Sequence, residues 1–115
     1  MKAARVTAFL LILLLFTVGS LPEAGAAFPG MVHWIAHAGM YALIAFCVGL
    51  GWRQWPSYMV VALVALTGVA HESSEIVTHH HALEIGDLVV NASGALVGTL
   101  MQRLTFSYMV RRAGR

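Results

Sequence analysis

Histidines and carboxylates at helical spacing carry the chemistry of this chain. His33 and His37 stand four residues apart, and the stretch His71–Gly98 (HESSEIVTHHHALEIGDLVVNASGALVG) holds a dense second set. Four of the five acidic residues (Glu72, Glu75, Glu84, Asp87) and four of the six histidines (His71, His79, His80, His81) fall within it. Three kinds of chemistry suit such groups. His37 and Glu72 would form a proton-transfer pair if they met. His33, His37 and His71 are metal-ligand candidates, because imidazole and carboxylate suit zinc and other divalent ions and His33/His37 have the i, i+4 spacing of a helical ligand pair. Asp87 and Asn91 can hydrogen-bond the hydroxyls or amides of a polar ligand.

Other chemistries are excluded. The run His71-Glu72-Ser73-Ser74-Glu75 lacks the second histidine of His-Glu-x-x-His, so it is no metalloprotease motif. Ser73 and Ser74 sit in no Gly-x-Ser-x-Gly elbow, which removes the case for an acyl-transfer nucleophile. Cys47 is the single cysteine and has no partner for an intrachain disulfide. Seven basic residues scattered over the chain, with a net charge of +2, make no nucleic-acid-binding stripe.

The surroundings make these polar groups conspicuous. Hydrophobic residues form 59% of the 115-residue chain and charged residues 10%, against about 45–50% and about 25% in soluble domains. The composition places the chain in a bilayer, where each ionisable group near the centre costs about 2.5–3.5 kcal/mol. Such groups need a purpose.

Four apolar segments are available to position them, over about 5–21, 33–52, 56–77 and 86–108, giving an all-α membrane bundle in a single domain. Two readings compete for the first. Lys2 and Arg5, the apolar run and Ala24-Gly25-Ala26 fit a cleavable signal peptide, which would leave three helices; the run of about 16 apolar residues also suffices for a retained span. Pro56 opens the third helix, and Trp52 and Trp55 mark the preceding turn as interfacial. With four crossings every Lys and Arg falls on one side, which the positive-inside rule makes cytoplasmic, together with both termini. All acids and histidines lie toward the other.

Depth follows from about 1.5 Å of rise per residue. His33, Glu75 and Asp87 should ring an outer mouth, with His37, His71, Glu72 and Asn91 about one turn beneath. His33, His37 and Tyr41 share one helical face, and so do Asp87, Asn91, Gly94 and Gly98. Gly94 and Gly98 form a small-x-x-x-small pair suited to close helix packing in lipid.

In order, these residues read His37-x-x-x-Tyr41, Glu72-x-x-Glu75, His81 six residues on, and Asp87-x-x-x-Asn91-x-x-Gly94-x-x-x-Gly98. Over residues 33–98 this resembles the VanZ-like family of small membrane proteins, whose pattern is Asp-Lys-x-x-His-x-x-x-Tyr, Glu-x-x-Gln, Arg, then Asp-x-x-x-Asn-x-x-Gly-x-x-x-Gly. His33-Trp34, Glu75 and His81 replace Asp-Lys, Gln and Arg. The resemblance implies a multi-pass protein of the bacterial plasma membrane with an effect on tolerance to the glycopeptide teicoplanin. It also implies His37, Tyr41, Glu72, Asp87 and Asn91 as site residues, with Glu75 and His81 as the altered positions.

The functional expectation is a cell-envelope protein with a polar site in the outer leaflet, binding membrane lipid headgroups or a cell-wall precursor. Two alternatives stand beside it: a divalent-metal protein built on the His/Glu/Asp cluster, and a small structural subunit whose polar groups pair across helices. No reaction is specified by the sequence. Transport is disfavoured because four helices of one chain give too little wall to enclose a path unless the chain oligomerises, and the sequence does not encode an oligomeric state.

Overall fold

A computed structural model describes residues 1–19, 21, 29–80 and 82–114 of the chain. Four helices and no strand occur among them: α1 Lys2–Gly19, α2 Met31–Gly51, α3 Ser57–His79 and α4 Ile85–Ala113. His81, Arg115 and the Pro22–Ala27 segment with its expected processing site lie outside the described residues. Helices α1, α2 and α3 are long and apolar enough to cross a membrane. Helix α4 is the longest, at 29 residues, but Asp87, Asn91, Gln102 and Arg103 dilute its apolar character below that of the others.

The chain's ends of element follow local chemistry. Gly30 precedes α2 with φ 61°, a left-handed conformation that glycine adopts without a Cβ penalty. Pro56 is extended (φ −65°, ψ 153°) at the N-cap of α3, as its ring allows. His80 closes α3 in the left-handed region. Helix α4 begins with Asp87 in its first turn and ends with Arg111 and Arg112 in its last, each sign stabilised by the helix dipole. That favourable end, with no breaker before Gly114, carries α4 to Ala113 instead of stopping near residue 108.

Successive helices run antiparallel in a bundle 55 Å long and about 25 Å across. At one end Arg5 Nε donates to the Gly51 carbonyl at 2.8 Å and lies 5.0 Å over the Trp52 ring. There too Arg103 pins the α2–α3 turn, donating from Nε to Ser57 Oγ at 3.1 Å and from its guanidinium nitrogens to the carbonyls of Arg53 and Trp55. The acids and histidines among the described residues occupy the other end.

The closest pairing is α2 against α4. Gly94 and Gly98 permit it: a Cβ on Gly94 would lie 3.0 Å from Ala38 Cα, and one on Gly98 would overlap the Ala42 carbonyl. Helix α3 packs on α4 and α1 covers α2 and α3. Tyr41, Ile44, Ala45, Val48, Val60, Val64 and Ala95 form the buried centre. Outside it, Phe9, Leu13, Ile35, Leu66, Val89, Leu96, Leu100 and Leu104 are exposed on all four helices. An apolar exterior of this extent is far beyond the patches tolerated on water-soluble monomers.

Candidate functional site

Each of α2, α3 and α4 carries one inward-facing stripe that holds its buried polar residues, and the three stripes meet. On α4 the buried residues Asp87, Asn91, Gly94, Ala95, Gly98, Thr99 and Gln102 follow helical periodicity. On α3 the stripe runs Val60, Val64, His71 and Glu72. On α2 His33, His37 and Tyr41 succeed one another with ring centroids 4.3 and 6.3 Å apart.

Asn91 is the hub. Its Nδ2 donates to Glu72 Oε1 at 3.2 Å, and its Oδ1 lies 2.9 Å from His37 Nδ1. A carboxylate only accepts, so the amide nitrogen must face Glu72 and the amide oxygen His37. His37 therefore donates from Nδ1, and its Nε2 is left as the second ring nitrogen. Glu72 and Asn91 are each 1% exposed, and burying such polar groups is tolerated because they satisfy one another across three helices.

Two further groups flank this chain of bonds. His33 Nε2 meets Asp87 Oδ2 at 3.1 Å. Asp87, expected at an open mouth, is instead only 3% exposed because the first turns of α2 and α4 lie against each other, with Trp34 packed beside Gly86. Its second oxygen, Oδ1, has no hydrogen-bond partner among the described residues. On the other flank, His71 stands 3.6 Å from Glu75 Oε1 and 3.9 Å from Glu72 Oε1, both beyond hydrogen-bond length. Tyr41 lies fully buried beneath His37, its hydroxyl without a hydrogen-bond partner among the described residues.

The layer opens onto a cleft of about 280 Å³ between α1, α2 and α3. Leu14, Leu15 and Val18 of α1 and Met40 of α2 make its apolar wall, while His33, His37, His71 and Glu75 make its polar end. This is close to the lower end of ligand-pocket sizes.

The structure thus brings His33, His37, His71, Glu72, Glu75, Asp87 and Asn91 into one layer, with Tyr41 below it. Gly94 and Gly98 serve the α2–α4 contact and not the cleft. His81 lies outside the described residues. Three contributors escape a reading of the sequence. Gly19 gives room to His71, since a Cβ there would overlap the imidazole, and Phe16 meets the same ring edge-on at 5.5 Å. Gln102, fully buried, packs against Gly49 at the opposite end. Continuing the 87-91-94-98 stripe by one turn would have found Gln102; nothing in the sequence marks Gly19.

No protein-family model matches the chain, and no curated protein or solved structure matches it either.

Proposed function

We propose that the chain is a VanZ-like, four-span protein of the bacterial plasma membrane that binds the polar end of an amphiphilic envelope component, a lipid headgroup or cell-wall precursor, in the outer leaflet. The observation that carries this reading is the adjacency of a buried three-helix hydrogen-bond chain, His37–Asn91–Glu72, to an apolar cleft that ends in three histidines. Polar groups receive the headgroup and the leucine wall receives the start of an acyl or isoprenoid chain. A role in packing alone requires no such cleft.

A fourth crossing is supported by where the polar residues of α4 point. Asp87, Asn91 and Gln102 are buried in the bundle, whereas Val89, Leu96, Val97, Leu100, Met101 and Leu104 are exposed. The face offered to lipid is apolar even though the helix average is not. The basic end, with Arg5, Arg53, Arg103, Arg111 and Arg112, is then cytoplasmic by the positive-inside rule, with both termini. The VanZ-like reading itself rests on motif spacing over residues 33–98, and glycopeptide tolerance is its physiological readout.

The test is mass spectrometry of the protein purified in native-lipid nanodiscs. Leu15→Trp fills the cleft without touching the hydrogen-bond chain, and it should deplete a specific amphiphile retained by the unsubstituted protein. Identical lipid content in both sinks the proposal. So does unchanged teicoplanin sensitivity and unchanged stability in cells carrying His37→Ala and Asp87→Ala.

A further inference from the structure

The geometry points to a divalent-metal site, of zinc chemistry, held by His33 and His37, which line the cleft, and by the buried Asp87. One ligand atom from each lies within 4.8 Å of the others. Two ligands on tetrahedral zinc, with bonds of about 2.0–2.1 Å, stand about 3.4 Å apart, so closure needs each pair to approach by at most about 1.4 Å.

Three observations select this trio. The first is Asn91: by accepting from His37 Nδ1, it fixes the ring and leaves Nε2 as the donor atom, the outer-shell arrangement that orients metal-bound histidines. The second is Asp87, whose side chain is 4% exposed and whose Oδ1 has no hydrogen-bond partner among the described residues although Oδ2 already faces His33. A buried carboxylate oxygen left in that condition is stabilised by a cation. The third is access, because His33 and His37 both line the cleft. Two imidazoles and one carboxylate leave a fourth coordination position, as in zinc sites that bind an exogenous oxygen ligand.

The neighbouring trio His71, Glu72 and Glu75 is also compact, and both His71 ring nitrogens lack a hydrogen-bond partner among the described residues, but it is the weaker site. A Cβ on Gly19 would overlap His71 Nε2, so the backbone of α1 already stands where an ion would approach that nitrogen. Glu72 is occupied by Asn91.

The site does not depend on amphiphile binding, and zinc alone is the probe. Untagged protein in lipid nanodiscs is exposed to zinc, desalted and analysed for metal content, and a second sample is loaded with cobalt(II) for its visible spectrum. About one equivalent of zinc and a four-coordinate cobalt spectrum are expected. His33→Gln and Asp87→Asn should abolish both signals, and Asn91→Ala should weaken affinity about 10–100-fold by releasing His37. Replacing His79, His80 and His81 together by alanine should change nothing. The proposal is overturned if wild-type protein retains no stoichiometric zinc, if the triple-alanine variant loses it, or if Asp87→Asn keeps it. His71→Gln keeps the test decisive where another variant fails to fold: zinc binding and the cobalt spectrum must survive it, and their loss overturns the assignment to His33, His37 and Asp87.

Discussion

Replacing Gly98 by alanine adds one methyl group at the tightest point of the bundle, against the backbone of Ala42. The new Cβ would stand 2.6 Å from the Ala42 carbonyl carbon and 2.7 Å from Ala42 Cα, where non-bonded carbons prefer about 3.5–4.0 Å. Both atoms are backbone, so no rotamer change relieves the overlap. Helix α4 must retreat from α2 by about 1 Å, a gap that forfeits a quarter to a half of each dispersion contact. Overpacking of this kind costs about 3 kcal/mol, at the upper end of its usual range. Alanine's better helix propensity returns about 1 kcal/mol, leaving a net loss of about 2 kcal/mol. The same retreat stretches the α2–α4 bonds His33–Asp87 and His37–Asn91, now 3.1 and 2.9 Å, beyond hydrogen-bond length. Gly39→Ala is the control: nothing lies within 4 Å of a Cβ there, so the propensity gain of up to about 1 kcal/mol should appear undiminished. Reversible unfolding in mixed detergent micelles measures both variants. If Gly98→Ala is as stable as wild type, the close α2–α4 packing that positions the site is wrong.

Other perturbations separate the parts of the site. Asn91→Ala removes the hub and leaves His37 Nδ1 and Glu72 Oε1 without their bridging amide, 3.8 Å apart; given measured interhelical hydrogen bonds in bilayers, unfolding should shift by about 1 kcal/mol, and an unchanged midpoint would dissolve the hydrogen-bond chain. Tyr41→Phe deletes a buried hydroxyl without a hydrogen-bond partner among the described residues and should be neutral or stabilising in the same assay, whereas a loss above about 1 kcal/mol would reveal a partner. Gly19→Val should push α1 away from His71 and speed hydrogen exchange in the last turns of α1; unchanged exchange would mean that α1 is not seated there. In a Cys47→Ala background, Glu84→Cys should react with an impermeant maleimide on intact cells, and Arg112→Cys only after the membrane is opened. Labelling of both from outside would exclude the fourth crossing.

Periodicity carried much of this architecture because each helix in lipid can hide only one polar face. His33, His37 and Tyr41 could share a face only at a helix interior, and Asp87-Asn91-Gly94-Gly98 demanded a partner helix against it. Depth counting then brought His37, Glu72 and Asn91 to one level. It could not say which carboxylate meets which partner: that Glu72 takes Asn91 while Glu75 turns to His71 depends on a difference of only about 60° in direction and on helix rotation, which the sequence leaves free. Nor could it show Asp87 covered, since burial there comes from how closely the first turns of α2 and α4 approach. The role of Gly19 was hidden for another reason. A glycine in an apolar run looks the same whether it faces lipid or makes space for an imidazole.

The cleft's apolar wall is contributed by Leu14, Leu15 and Val18 of α1, and this gives the amino-terminal segment a meaning beyond anchoring. A polypeptide beginning after residue 27 would keep every histidine and carboxylate of the layer but have an open trough in place of a chamber, with His37 and His71 facing the acyl chains directly. Proteolytic maturation at this point would therefore exchange a walled cleft for a bare polar seam.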